Sequence, residues 1–368
     1  MQTFACGNCG HLVFFENSIC LRCGRSLGFV TDDWTLATFA PHDQGRYARH
    51  TAEPAGQAAA AYRRCANASI AACNWMVADH DGRSDELCVS CRLTRRRPND
   101  GDTAALSALA DAEAAKRRLV YQLHDLGLPI TSRSEDQAAG LAFDLLSSAA
   151  EPVVTGHDEG IITLDLAESD DAHRTKVQQQ LGEAYRTLLG HFRHEIGHYY
   201  WGVLVERDPE RLAACRALFG DDEVDYGDAI DRHYRDGPPP DWAEQFVSSY
   251  ATMHPYEDWA ETFAHYLHIR DSLATAAAYR LLVGGPTAVG DPELMAVPAE
   301  SIEPDSMQAL LDEWLPLTYA LNAINRSMGK DDLYPFVLAP AVIRKLAFVH
   351  AVVAASTAAP AAPAAAAR

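Results

Sequence analysis

Apolar residues recur with helical spacing through most of the chain that follows residue 100. This periodicity predicts helices that each bury one face. Stretches rich in glycine and proline, such as DGPPPDW and VGGPTAVGDPE, separate some of them,. The predicted helices span residues 103–126, 134–147, 172–205, 209–218, 241–252, 255–269, 271–282, 305–328 and 334–353.

A different pattern interrupts the helical periodicity in the stretch EPVVTGHDEGIITLDLA, residues 151–167. Two short apolar runs, PVVT and IITLDLA, flank a turn that contains glycine, which predicts a β-hairpin,. Long β-branched runs are scarce, whereas Ala and Leu are abundant. We therefore expect a mainly α protein of the α+β class with a small β-sheet.

The length of 368 residues allows two or three domains,. The stretch LTRRRPNDGD, residues 93–102, is basic and then rich in turn formers, which is typical of a linker,. We predict a small module at 1–100, a helical domain at 101–353 and a disordered Ala/Pro tail at 354–368,. The linker arginines 95–97 are expected to be a solvated face, and nucleic-acid contact is the alternative.

The distribution of net charge along the chain argues against nucleic acid as a partner. The chain carries −20 at pH 7, but its first 100 residues hold 11 basic and 10 acidic side chains, so the acidity lies in the remainder. An acidic body repels phosphate, which makes nucleic acid an unexpected partner. The start MQTFACGNCG does not resemble a signal peptide, and the apolar stretch LAFVHAVVAA is too short to span a bilayer,. We expect a cytoplasmic protein without a membrane partner, in which the cysteines are reduced.

Two CxxC pairs open the chain, within CGNCGHLVFFENSICLRCG. A glycine follows the second cysteine of each pair and lets the backbone aim amide groups at thiolate sulfur. This spacing predicts a structural zinc site in a zinc-ribbon or rubredoxin-like module, and a pair of disulfides is the alternative. The four expected ligands are Cys6, Cys9, Cys20 and Cys23.

Four more cysteines precede residue 92, and they indicate a second structural zinc. Four thiolates are enough for one tetrahedral ion, although only the last pair has the tight CxxC spacing. The alternatives are buried free thiols in a small helical core, or His80 in place of one cysteine. The expected ligands are Cys65, Cys73, Cys88 and Cys91. The ninth cysteine, Cys215, lies on an amphipathic stretch and is predicted to be a core residue.

The motif HEIGH, residues 194–198, carries the most specific chemistry in the chain. Two histidines four positions apart project from one face of a helix and can share a zinc ion, so His194 and His198 are expected ligands. Glu195 is then placed to take the proton of a zinc-bound water. Gly197 allows close packing behind the motif, and His191 lies on a neighbouring face. The alternative is a helix with buried, hydrogen-bonded histidines.

A catalytic zinc needs a third protein ligand and one open position. No third histidine follows HEIGH at the spacing of the extended motif, so that ligand must come from elsewhere. In PYEDWAETFAHY, the carboxylates of Glu257 and Glu261 lie one helical turn apart on one face,. One can bind the metal while the other accepts the N–H of a ligand histidine. The alternative is a solvated, charged helix face.

The combination of HEIGH with SYATMHPYEDWAETFAHY resembles the gluzincin pattern, and in detail the catalytic domain of the lethal-factor type. The resemblance implies that Glu257 is the zinc ligand, that Glu261 orients a ligand histidine and that Tyr250 stabilises the oxyanion, with Tyr256 as a competitor. The whole chain apart from its tail resembles a bacterial family of zinc-binding metallopeptidases with an N-terminal zinc-ribbon domain, partly through the phrase LLGHFRHEIGHYYW.

The expected function is that of a zinc-dependent metallopeptidase of the HExxH type, with one catalytic zinc and one or two structural zincs. Its substrate would be a peptide or protein, held as an added strand along IITLDLA at the sheet edge. The zinc-ribbon module would recognise a substrate or a protein partner. The alternatives are a nucleic-acid-associated protease, a non-enzymatic zinc-binding interaction protein and a hydrolase of small amides. The sequence does not predict an oligomeric state.

Overall fold

The computed structural model describes most of the chain: residues 2–50, 61–79, 86–149, 152–170, 173–176, 187–288, 294–297 and 306–358. Four sequence predictions fall wholly or partly outside these ranges. They concern His80 as a ligand, part of the predicted helices 172–205 and 305–328, and the disordered tail predicted at 354–368, of which residues 354–358 are instead helical and the rest lies outside the described ranges. No helix in the described ranges is long and apolar enough to cross a membrane.

The N-terminal part is built from short strands around the cysteines. Strand β1 pairs with β2, and a five-stranded antiparallel sheet follows in the order β3-β4-β5-β6-β7. The strands are β1 Phe4–Ala5, β2 Leu12–Val13, β3 Ser26–Val30, β4 Thr35–Pro41, β5 Tyr47–Arg49, β6 Ala61–Arg64 and β7 Met76–Asp79. The module is therefore β-rich, and its aromatic core includes Phe15, Phe29 and Trp75.

A second sheet lies in the helical part, in the order β10-β11-β9-β8. Its strands are β8 Thr94–Arg96, β9 Ala142–Leu146, β10 Gly156–Asp158 and β11 Ile161–Asp165. The pairs β8–β9 and β9–β11 are parallel. β10 and β11 form a hairpin as predicted, but its first strand is Gly156–Asp158 and not the run PVVT, which lies outside any strand. β11 thus lies inside the sheet and β10 at its end, so the expectation that IITLDLA forms the sheet edge is wrong.

Seven helices have defined bounds in the described part of the chain. They are α1 Thr103–Asp125, α2 Leu188–Tyr200, α3 Pro209–Phe219, α4 Tyr226–Asp236, α5 Pro255–Ala278, α6 Met307–Ser327 and α7 Pro340–Ala358. A π-helical turn, Trp201–Val205, extends α2, and residues 173–176 are also helical. The mainly α fold with small sheets agrees with the predicted class.

Four helix predictions are wrong in detail. The interval 134–147 contains β9, whose apolar residues are buried on both faces and therefore show no strand alternation,. The interval 241–252 holds only two 3₁₀ turns, at Trp242–Glu244 and Tyr250–Thr252. The predicted helices 255–269 and 271–282 are parts of one helix, α5, which ends at Ala278.

Helices α2 and α5 pack closely enough to bring their polar residues together. A Cβ added at Gly197 would lie only 3.0 Å from Ala260 Cα and 3.1 Å from Ala260 O, so any larger residue would force the two helices apart by a few tenths of an ångström. The indole N–H of Trp259 donates to Gly197 O at 2.8 Å. The close packing expected at Gly197 is thus present, and it sets the distance between the HEIGH motif and the carboxylates of α5.

Candidate metal centre

The HEIGH motif lies near the middle of α2, which begins with Thr187 accepting a hydrogen bond from the amide of Gly190,. The imidazoles of His194 and His198 face the same way, and their Nε2 atoms are 3.2 Å apart. His198 is buried, and His194 is partly accessible. The two side chains therefore present converging nitrogens, as the i, i+4 spacing predicts.

Glu257 completes the cluster from the first turn of α5. Its Oε2 atom lies 2.9 Å from His194 Nε2 and 3.4 Å from His198 Nε2. In a tetrahedral zinc site with bonds of about 2.05 Å, neighbouring ligand atoms are about 3.3 Å apart. The three observed separations match that value, so the residues fit a zinc ion with one position left for water or substrate.

Glu261, one turn further along α5, contacts the opposite side of the His194 ring. Its Oε1 atom is 2.7 Å from His194 Nδ1, and Ser248 Oγ donates to its Oε2 atom at 2.6 Å. This contact keeps the proton of His194 on Nδ1 and turns Nε2 toward Glu257. The structure therefore places Glu261 where the resemblance expects the carboxylate that orients a ligand.

The histidines of the cluster neutralise only part of the negative charge of its carboxylates. Burial opposes protonation of His194, but hydrogen bonds to Glu257 and Glu261 raise its pKa well above the ordinary value. Burial also opposes ionisation of Glu257, but His198 and His194 lower its pKa well below the usual range. Buried carboxylates of this kind favour a nearby cation, and a divalent ion held by Glu257 and the two imidazoles would supply that positive charge.

Glu195 lies beside this cluster and is 6% exposed. Its Oε2 atom has no hydrogen-bond partner among the described residues. Burial raises the pKa of Glu195, although the neighbouring imidazoles counteract the shift. A carboxylate with one unpaired oxygen and a raised pKa is suited to accept a proton from a bound molecule.

Three tyrosines surround the cluster, and they differ in what their hydroxyls contact. The ring of Tyr250 lies 5.9 Å from that of His194 and lines a cavity. Tyr256 donates to the backbone oxygen of His198 at 3.3 Å, and its ring covers that imidazole. Tyr226 donates to Glu257 Oε1 at 2.9 Å. Tyr250 therefore faces the cavity, whereas the hydroxyl of Tyr256 is held against the backbone of His198.

Sequence reasoning missed the contact of Tyr226 with Glu257. Tyr226 is the first residue of α4, a short and mostly exposed helix that buries only Ala229, although its apolar residues Tyr226, Ala229, Ile230 and Tyr234 do recur with helical spacing. The signal that could have revealed the helix is Asp225, whose side chain caps it by accepting from the amide of Asp228,.

The first cysteine cluster has the geometry of a tetrahedral thiolate site. Cys6 Sγ lies 3.6 Å from Cys23 Sγ, and Cys9 Sγ lies 3.7 Å from Cys20 Sγ. Zinc–sulfur bonds of about 2.3 Å put neighbouring sulfurs about 3.8 Å apart, far longer than a disulfide bond. All four thiols are unlinked, so the disulfide alternative is not present. The glycines after the knuckles, Gly10 and Gly24, have φ of +68° and +71°.

The second cysteine cluster is buried where β6, β7 and β8 meet. The Sγ atoms of Cys73 and Cys88 are 3.7 Å apart, and the ligand atoms of the whole set lie within 4.8 Å of one another. The amide of Cys91 donates to Cys88 Sγ, and the amide of Cys88 donates to Cys65 Sγ, both at 3.4 Å. Helix α1 also borders the cluster, since Cys91 Sγ lies 3.9 Å from Glu113 Oε2. The mutual approach of the four sulfurs, and not the surrounding elements, favours a metal site over free thiols.

The other candidate residues from the sequence lie outside the three ligand clusters. Cys215 is fully buried on α3, as predicted for a core residue. The imidazole of His191 lies 3.4 Å from Glu168 and outside the ligand cluster. Arg95 belongs to β8 and binds Asp144 at 2.5 and 3.0 Å, so it is held in a sheet and does not lie on a free linker.

Two tetrahedral cysteine clusters and a His–His–Glu cluster on paired helices define a zinc-binding protein with a metallopeptidase-like domain. The chain belongs to the family described as "Putative zinc-binding metallo-peptidase", whose model matches residues 105–352, and a zinc-ribbon domain model matches residues 3–102. Both findings agree with the resemblance inferred from the sequence, and together with the cysteine clusters they support zinc binding.

Two similar curated proteins come from mycobacteria. The "Uncharacterized protein Rv2568c" of Mycobacterium tuberculosis and the "Uncharacterized protein Mb2598c" of Mycobacterium bovis are each 50% identical over 356 residues. The alignments cover 96% of this chain and 95% of each relative. No solved structure shows significant similarity to the chain.

Proposed function

We propose that the protein is a zinc-dependent hydrolase of peptide bonds, with the gluzincin set of ligands. The observation that supports this best is the cluster of His194, His198 and Glu257 with the unpaired carboxylate oxygen of Glu195 beside it. Purely structural sites are closed by four protein ligands. Here, the described residues supply three ligands, and this favours catalysis over a non-enzymatic role.

The side chains around the cluster have separable roles in the proposed reaction. When bound, zinc activates water and polarises the substrate carbonyl. Glu195 accepts the proton of the attacking water and delivers it to the leaving amine. Glu261 holds the tautomer of His194, and Tyr250 donates a hydrogen bond to the developing oxyanion.

The end strand β10 is the proposed backbone-binding edge. It packs against α2, and its His157 ring lies 6.2 Å from the ring of His198. An extended peptide added to β10 would therefore run beside the ligand cluster and be held through main-chain hydrogen bonds. Small amides lack such a main chain, so this edge favours peptides as the substrate class.

The test of the proposal is a Glu195→Gln exchange in the zinc-loaded protein. We expect peptide cleavage to fall by at least about 100-fold, because the amide cannot accept the proton, while zinc content stays unchanged. A peptide library derived from a proteome digest, analysed by mass spectrometry, gives the cleavage readout.

The matched control for this exchange is Glu210→Gln, since Glu210 is exposed at the start of α3. It should cleave like the parent. Equal cleavage by the parent and the Glu195→Gln variant would refute the assigned role, and a parent that cleaves no peptide in the library would refute the proposed activity.

We further propose that the zinc-ribbon module contacts protein and not nucleic acid. The apolar side chains exposed around its knuckles are Leu12, Phe14, Ile19 and Leu21, and Leu21 is 88% exposed. Nucleic-acid binding requires a row of cations along phosphate, whereas exposed apolar side chains are typical of protein contacts. A labelled DNA duplex should accordingly show no salt-dependent binding in fluorescence anisotropy.

A further inference from the structure

A cavity of about 500 Å³ opens beside the ligand cluster. At one end it is lined by His194, Glu195 and Tyr250, the residues that face the proposed reaction centre. The rest of the lining comes mainly from the start of α2, from α5, from residues 242–250 and from residues 334–337. Its volume is within the range of small-molecule pockets, and a substrate at the ligand cluster would have this space next to its reacting bond.

The wall away from the cluster is mainly aromatic. It is lined by the rings of Trp242, Phe246, Tyr334 and Phe336. The small side chain of Ala264 on α5 leaves the space between these rings open. The rings are fixed by one another: those of Tyr334 and Phe336 are 5.1 Å apart, and Tyr334 lies 5.1 Å from the ring of Trp314. A rigid aromatic wall gains most from a large, flat, apolar partner.

The charged groups of the wall are already paired. Arg193 donates to Asp271 at 2.6 Å and to Gln122 at 3.1 Å, and Glu261 is held by His194 and Ser248. A carboxylate or an ammonium group at the aromatic end of the cavity would lose its hydration without gaining a free counter-ion, since Glu195, whose Oε2 atom is unpaired, lies at the other end,. The cavity therefore disfavours charged side chains as well as the carboxylate of a peptide C-terminus.

His265 also lines the cavity, and it adds no charge to the wall. Its Nδ1 atom lies 2.7 Å from the hydroxyl of Tyr334, and its ring meets that of Phe336 edge to face at 4.4 Å. Burial lowers the pKa of His265 to about 4, so that the ring is uncharged at neutral pH. An uncharged imidazole packs against an aromatic ligand as a further ring.

We infer that this cavity binds a large apolar side chain, preferably aromatic, of the substrate residue next to the bond that is cut. The inference depends on the proposed peptidase function and adds to it the class of residue that selects the cleavage site. Because the cavity disfavours a C-terminal carboxylate, the inference also predicts that the protein cuts within peptide chains and does not remove single C-terminal residues.

The test uses two peptides that differ only in having Phe or Ala at the position beside the cleaved bond. The parent should prefer Phe by about 10-fold or more in kcat/KM. Ala264→Leu fills the cavity and should remove most of this preference, whereas Ala274→Leu, on the same helix but outside the cavity, should keep it.

A second variant covers the case in which Ala264→Leu does not fold. Trp242 is only partly buried, so Trp242→Ala removes one wall of the cavity with little effect on the core. It too should reduce the preference for Phe. Cleavage without side-chain preference, or a preference for charged or small residues, would overturn the inference while leaving the peptidase proposal in place.

A binding measurement separates the two proposals. N-acetyl-phenylalanine amide should bind the zinc-loaded Glu195→Gln protein in ligand-observed NMR, and N-acetyl-alanine amide should not. Ala264→Leu in the same background should abolish this binding. If no peptide is cleaved but this pattern holds, the cavity assignment stands and the peptidase proposal fails. Absence of binding by the phenylalanine derivative overturns the assignment.

Discussion

At the scale of single residues, the site depends on how each carboxylate is held. Glu257 has its Oε2 atom near both imidazoles and its Oε1 atom bound by Tyr226, so both of its oxygens have a defined direction. Glu261 is fixed in the same way between His194 and Ser248. Oriented ligands lose less entropy when the ion binds, and metal affinity therefore depends on these supporting contacts.

Tyr226→Phe tests the supporting contact to Glu257. Loss of the hydroxyl leaves Glu257 Oε1 without its donor, and zinc affinity or activity should fall about 10-fold or more. Competition with a chromophoric chelator measures the affinity.

Tyr319→Phe is the control for this exchange, because Tyr319 is 57% exposed on α6. Unchanged affinity in Tyr226→Phe would show that α4 does not contribute to the metal site.

Residues within a motif could be predicted from the sequence, because their spacing alone defines the geometry. His194 and His198 are one helical turn apart, and the CxxC cysteines are close in sequence, so local backbone rules bring each pair together,. Tyr226 reaches Glu257 across 31 positions, and no local rule predicts such a contact. The difference in role between Glu257 and Glu261 was likewise implied by resemblance and not by spacing.

At the scale of elements, the packing of α2 on α5 sets the separation of the ligand atoms. Gly197 is the point of closest approach, where the added Cβ would also lie 3.3 Å from Phe263 Cβ. A wider separation would move Glu257 away from both imidazoles. The metal site and the helix contact are therefore expected to change together.

Gly197→Ala should push the two helices apart. The expected loss in the free energy of unfolding is about 1–3 kcal/mol, with lower zinc occupancy, because the new methyl group meets the backbone of Ala260,. Chemical denaturation and elemental analysis give the two readouts.

Gly202→Ala is the control for Gly197→Ala, since a Cβ there would make only an ordinary contact, at 3.5 Å from Glu206 Oε2. This variant should keep the stability and zinc content of the parent. A Gly197→Ala variant as stable as Gly202→Ala would contradict the role given to the close approach.

Element prediction succeeded for α1, where one face of a helix is apolar, and failed for β9, where burial is uniform. α1 was predicted within one residue, and its buried face includes Leu109, Leu119 and Leu123. β9 is buried on both faces and was taken for a helix, because a continuous apolar run carries no period,. α4 is almost wholly exposed and was not predicted, although Tyr226, Ala229, Ile230 and Tyr234 recur in it with helical spacing. Uniform burial explains the error at β9, whereas the period of α4 was present in the sequence and was overlooked.

At the scale of the whole molecule, the two parts of the chain share one hydrophobic core. The rings of Phe15 and Tyr121 are 5.3 Å apart, and Trp34 stacks on His124 at 3.6 Å. These contacts join the cysteine-rich part to α1. Loss of metal from the cysteine clusters should therefore lower the stability of the helical part as well.

Cys88→Ser tests this coupling. Removing one thiolate should release a zinc ion and shift a single cooperative unfolding transition to lower temperature, as seen by fluorescence and by calorimetry. Cys215→Ser changes a buried thiol outside the clusters and should retain the full zinc content. Two separate transitions, with the later one unmoved, would show that the parts are independent.

Strand β8 begins three residues after Cys91 and pairs with β9, where Arg95 neutralises the buried Asp144. A chain shortened to the 105–352 segment would lose this strand and leave β9 with an open edge and an uncompensated acid. Such a fragment should self-associate through that edge. The family boundary near residue 100 therefore does not mark a place where the protein can be cut into two stable halves.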